Sequence, residues 1–334
     1  MSRADAAAAI LWVGATFYAL FGGADFGGGF WDLIAGDAKK GWEPRMAIQR
    51  SLTPVWEANH VWLIFILVVL WTAFSGVFSA IFTTLYVPLV LAVLGIVLRG
   101  SGFAFRKSVE GLQERRAAGA TFALSSVITP FFMGTVVGAV AAGNVPAAGN
   151  GDAFSTWLQP LPLFIGAMFV ATGAYLAAVF LVGDSRRAED REMEVYFEKR
   201  ALAAGAVAGI FAVVGLIALH SEGHYVYDRL VHEGLPLVII SAVCGVGMLG
   251  VLLTGGRLLL RPLAALAVVA VIWGAFVAMF PYLLPTSLKI SEAAAPDATL
   301  SAIFVVFGIA CVLVLPALFL LYFLAQSDML EHDH

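Results

Sequence analysis

The sequence predicts an all-α polytopic membrane protein, and three observations carry that prediction. Of its 334 residues, 61% are apolar and only 13% are Asp, Glu, Lys or Arg, about half the charge that a soluble surface uses. The apolar residues fall into runs of about 20, the length a helix needs to cross the hydrocarbon core. The basic residues alternate between those runs: 16 of the 19 Lys and Arg lie in four connecting segments, and the segments between hold only Arg3, Arg229 and Lys289. Cytoplasmic loops retain positive charge, so the alternation supports nine helices with the amino terminus outside and the carboxyl terminus in the cytoplasm. An eight-helix reading would break it.

The first helix is expected at 7–34. Its lead, MSRADAAAAILW, has one Arg before an apolar run that continues to Asp25, which reads as a retained helix and not as a cleaved signal peptide. Gly22, Gly23, Gly27, Gly28 and Gly29 surround Asp25. No strand precedes them and no Lys-Ser/Thr follows, so they read as small residues for close helix packing, not as a phosphate loop. The second helix, 52–74, enters from the cytoplasm through TPVWEANHVWLI, and the third, 79–98, returns there and ends in VLRGSGF. The fourth, 120–142, leads into an outer segment, 143–160, rich in Gly, Ala and Pro and read as irregular. Five more helices follow at 161–183, 201–220, 235–254, 262–284 and 301–325. No loop is long enough to be a separate domain and no repeat period appears, so 1–334 is expected to be a single integral membrane domain.

A net charge of -4 with no basic tract excludes a nucleic-acid surface. The two cysteines, Cys244 and Cys311, each lie inside an apolar run. They form no disulfide framework, CxxC pair or CxxCH haem attachment.

Ionisable residues within a bilayer are costly, so each is a candidate site. Asp25 lies about nine residues before the cytoplasmic end of the first helix, roughly 14 Å. Glu57 and His60 lie early in the second helix, three apart on one face, close enough to exchange a proton directly or through one water. Arg99, at the end of the third helix, falls near the same level and could hold a neighbouring carboxylate ionised. Two readings stand level on spacing alone: a buried polar cluster that pins three helices, with Asp25 paired to Arg99, and a carboxylate and imidazole relay admitting protons from the cytoplasm.

A haem in a helical bundle needs two axial side chains on facing helices. His60 is the only histidine well inside a span, and Met133, Met168, Met248 and Met279 are scattered, so no haem is expected to be bound wholly by this chain. His220, Glu222, His224 and His232 could ligate a divalent ion, but a solvated outer loop is the expected state and no metal is assigned. Trp12, Trp31, Trp56, Trp71 and Trp157 read as anchors at the membrane boundary.

Four segments, GGADFGGGFWDL (22–33), TPVWEANHVWLIF (53–65), LRGSGFAFR (98–106) and MFPYLLPTS (279–287), resemble those of subunit II of the cytochrome bd-type quinol oxidases, and the likeness runs over essentially the whole chain. The resemblance implies two four-helix bundles plus a peripheral helix in the bacterial cytoplasmic membrane. It implies pairing with a haem-bearing subunit I that carries haem b, haem d and the quinol site and reduces dioxygen to water. It further implies that subunit II supports subunit I and supplies part of a cytoplasmic proton path, with Asp25 and Glu57 at the family's acidic positions and Arg99 at a basic one. Ala104 departs from relatives that carry an acid there, and Glu110 or Glu114 are the nearby acids that would take its place. The alternative, a proton-coupled secondary transporter, would place its coupling residues near the midplane in repeated halves. Here the acids lie off-centre, and the half from residue 161 onward has no intramembrane carboxylate. The sequence leaves open whether the donor is ubiquinol or menaquinol, whether a structural quinone binds here, and whether a small single-helix accessory subunit joins the complex.

Overall fold

The computed structural model describes residues 2–37, 40–52, 56–108, 111–256 and 258–326. Helix α1, Arg3–Phe17, begins at a reciprocal cap: the Ser2 hydroxyl accepts from the Asp5 amide, and the Asp5 carboxylate accepts from the Ser2 amide. A π-helical turn, Tyr18–Gly22, then passes without a break into α2, Gly23–Leu33. The first span is therefore one continuous rod of 31 residues, Arg3–Leu33.

The second and third segments depart from the expected bounds. Helix α3, Trp42–Leu52, is a separate polar helix, followed by α4, Trp56–Ala73. Phe74 leaves helical geometry, and α5, Ser75–Thr84, turns 115° away from α4. The third span is thus α6, Tyr86–Ser108, not 79–98. Its Pro88 sits in the first turn, where a missing N–H costs nothing. The helix runs on past Leu98 because Gly102 lets it close on the next helix: a Cβ there would lie 2.8 Å from the Phe122 amide nitrogen.

Then come α7, Leu112–Ala141, α8, Pro160–Arg187, and α9, Arg191–Glu222. At 1.5 Å per residue, α8 and α9 are about 42 and 48 Å long, beyond the roughly 30 Å hydrocarbon core. Their continuation past the expected 161–183 and 201–220 is fixed by charge pairs that hydropathy does not report. Arg186 binds Glu194 and, at 2.9 Å, Glu198; Arg261 binds Asp184 at 2.7 Å. Helix α10, His224–His232, packs on α12, Leu260–Met279, which pairs with α11, Leu235–Leu253. A short antiparallel hairpin, β1 Tyr282–Leu284 with β2 Leu288–Lys289, and α13, Ile290–Ala293, lead to α14, Asp297–Gln326.

Among the described residues, eight helices are long and apolar enough to cross a membrane, or nine when the bent α4–α5 pair counts as one span. This is an all-helical polytopic membrane protein. Helices α2, α6, α7 and α8 pack as neighbours, and α9 joins through α8. The buried apolar residues form two clusters at opposite ends of the rods. One, around Leu11, Phe74, Leu85 and Leu284, lies at the amino-terminal end; the other, around Trp31, Leu176, Phe197 and Met248, lies at the end the basic loops mark. Trp31 and Trp157, expected as lipid-boundary anchors, are buried instead. The Trp31 indole donates to the Ala174 carbonyl at 2.8 Å, tying α2 to α8.

Candidate functional site

The site is built where α2, α6 and α7 meet. Asp25 lies eight residues before the end of α2 and Arg99 nine before the end of α6, so parallel rods bring the two to one level. Both side chains are only 1% exposed. The guanidinium reaches the carboxylate with both terminal nitrogens: Nη1 donates to Oδ2 at 2.8 Å and Nη2 stands 2.7 Å from Oδ1. Nη2 also donates to the Asp25 carbonyl at 3.2 Å. Burying either charge alone would be prohibitive, so the two form a single unit, and charge-assisted bonds of this fork geometry are the strong kind.

The rest of the guanidinium is enclosed as well. Nε donates to the Ser126 hydroxyl on α7 at 3.0 Å, and that hydroxyl donates to the Phe122 carbonyl one turn back at 2.7 Å. The Phe26 and Phe122 ring centroids lie 4.7 and 5.1 Å from Arg99 Cζ, within the range of favourable cation–π contact. Phe26 also meets the His60 ring edge-on, with 6.1 Å between centroids. One aromatic ring therefore stands against both the buried pair and the imidazole. The Asn59 amide reaches the Phe21 carbonyl at 3.4 Å, fastening α4 to the π-helical turn. In that same turn the Tyr18 hydroxyl donates to the Met133 sulfur at 3.7 Å.

Of the expected site residues, Asp25, Arg99 and His60 come together around Phe26. Glu57 lies in the first turn of α4, three residues before His60, and its side chain lies outside the described residues. Near the cytoplasmic end, Ala104 is exposed, Glu114 is exposed in the first turn of α7, and Glu110 lies outside the described residues. Sequence reasoning missed Ser126, Phe122, Phe26 and Tyr18. Only the polar run Ser125, Ser126 and Thr129 in an apolar helix hinted at them. It also missed a second buried carboxylate: Asp32, at the foot of α2, receives Arg45 of α3 at 2.9 Å. On the outer side, Glu222 accepts from the Leu161 amide at 3.0 Å and caps α8 instead of joining the neighbouring histidines. Among the described residues, no group of three or more His, Cys, Asp and Glu could hold a metal ion.

The family model for cytochrome bd terminal oxidase subunit II matches residues 4–325. The chain belongs to that family. It is similar to a protein of Bacillus subtilis (strain 168) named as a candidate cytochrome bd menaquinol oxidase subunit II, at 22% identity over 96% of this chain and 95% of that one. It is also similar to the cytochrome bd-I ubiquinol oxidase subunit 2 of Escherichia coli (strain K12), at 25% identity over 81% and 78%. Its fold matches a chain in the structure of bd oxidase from Geobacillus thermodenitrificans with a TM-score of 0.79 at 24% identity, over 96% of this chain and 98% of that one. As a bd oxidase subunit II, the chain is a multi-pass membrane component of a bacterial respiratory quinol oxidase. The transporter reading has no support beside this match.

The family's enzymes imply haem. An axial pair must face each other across a porphyrin. His60 instead faces the Phe26 ring, and the Met133 sulfur is engaged by Tyr18. His60 and Met133 therefore do not form such an axial pair.

Proposed function

We propose that this subunit II supports a haem-bearing subunit I and delivers part of its proton supply from the cytoplasm, along Asp25, Glu57 and His60 with Arg99 as the charge partner. In this reading haem b, haem d and the quinol site belong to subunit I, where quinol oxidation drives dioxygen reduction to water. A structural quinone or a single-helix accessory subunit would add to this arrangement without changing it. The observation that carries the reading is the Asp25–Arg99 pair, wholly buried in the spanning region yet beside a titratable imidazole through Phe26. A dioxygen-reducing centre consumes protons, and a chain crossing the bilayer can lead them inward only through groups that bind protons or order water. Arg99 holds the Asp25 carboxylate at a fixed place in the spanning region, and in this reading Glu57 and His60 supply the exchanging groups at the start of α4.

Steady-state oxygen consumption of the purified complex tests this. Asp25→Asn and Glu57→Gln are expected to lower turnover by about tenfold or more, the scale at which a positioned acid–base group acts, while b- and d-type haem bands persist and still reduce with quinol. Wild-type turnover in both variants would exclude an essential relay, and loss of haem together with turnover would return the cluster to a structural role.

A further inference from the structure

We infer that Ser126 is a positioning residue of the proton path, holding the Arg99 guanidinium in the one orientation that aims both terminal nitrogens at Asp25. The inference rests on the proton-path reading above and names a residue which that reading does not include. An Arg side chain has five N–H donors in a rigid fork, so fixing Nε fixes the direction of the other four. Here Nε is fixed by Ser126 at 3.0 Å. The Ser126 hydroxyl has a single proton, which goes to the Phe122 carbonyl at 2.7 Å, so its lone pairs are what it turns toward Arg99. Ser126 is fully buried, and no water-exposed rotamer competes. Helix α2 closes the other side: a Cβ at Gly29 would strike the Ser126 side chain, so the hydroxyl is held between α2 and its own helix.

The two aromatic faces complete the restraint. Phe26 comes from α2, the helix of Asp25, and Phe122 from α7, the helix of Ser126. The guanidinium plane is thereby tied to both helices that flank α6. Without the Ser126 oxygen, Nε–H would be a buried donor lacking an acceptor, a state that costs more than the bond itself is worth. The fork would turn to relieve it, and the bidentate contact with Asp25 would become a single one. The charge felt by a proton passing the site would change, although every charged group is still present.

The pH–rate profile of oxygen consumption by the intact complex at saturating quinol reads this out. Ser126→Ala is expected to displace the pH of half-maximal turnover by about one unit, a tenfold change in proton affinity, with the haem content per complex unchanged. A profile lowered at every pH but not displaced would overturn the inference, because loss of packing alone has that effect. Phe122→Leu, which removes the ring but keeps apolar bulk, is expected to displace the profile in the same sense, and it decides the matter if Ser126→Ala does not assemble. Asp25→Asn is measured alongside: if it turns over like wild type the proton-path reading itself has failed, and if it is slow while both Ser126→Ala and Phe122→Leu keep the wild-type profile only the present inference falls.

Discussion

Among the described residues Arg99 is the largest fully buried side chain, and its cost is met at the level of individual atoms. A hydrogen bond and a 2.7 Å ion-pair contact to the Asp25 carboxylate, one bond to its carbonyl, one to Ser126 and two aromatic faces replace the water it gives up. Halving such a pair leaves an uncompensated charge, typically about 3–5 kcal/mol. Arg99→Leu should therefore sharply lower the thermal midpoint or yield of the purified complex. Combining it with Asp25→Asn should restore assembly without restoring turnover. Equal instability of the single and double variants would show that the pair does not act as one unit. Asp25 and Arg99 were legible in the sequence because a charge in an apolar run announces itself. Ser126 and the two phenylalanines were not: Phe and Ser are ordinary in a membrane helix, and their role follows only from which helix stands opposite.

Close backbone contact sets the elements in place. A Cβ at Gly27 of α2 would run into the carbonyl of Gly173 on α8, and Trp31 crosses the same seam to the Ala174 carbonyl. Gly27→Ala is expected to cost about 1–3 kcal/mol through overpacking, read as a lower melting temperature of the complex. Gly209→Ala on α9, where a Cβ would meet nothing within 4 Å, serves as the matched control and should stay within about 0.5 kcal/mol of wild type. Helix existence and order were readable from hydropathy; helix extent was not. Hydropathy marks the stretch immersed in hydrocarbon, whereas the ends of α8 and α9 are set by Arg186, Glu194 and Glu198 beyond it. The end of α4 was legible, since the second helix was expected to stop at 74; that Ser75–Thr84 forms a helix of its own turned away from α4 was not. Ser75 and Gly76 interrupt the apolar run directly after Phe74, a pair at which helices kink, and Phe74 itself leaves helical geometry and is buried in the outer core with Val77 and Leu85.

At the scale of the whole molecule, the described residues form a helical scaffold with a deeply buried ion pair, Asp25–Arg99, inside its spanning region. The proposed division of labour places the chemistry in the partner, with support and proton delivery here. Ala104 and Glu114, near the cytoplasmic end, are exposed, while Asp25 and Arg99 are sealed; in the proposed path a proton would enter by way of α4. The most direct test is the rate of proton uptake from the cytoplasmic face during an oxygen pulse, followed with a pH dye outside inverted vesicles holding the quinol-reduced complex. For Asp25→Asn the account predicts uptake slowed in step with oxygen consumption, at unchanged haem content. Uptake and oxygen consumption both at wild-type rates in that variant would contradict it.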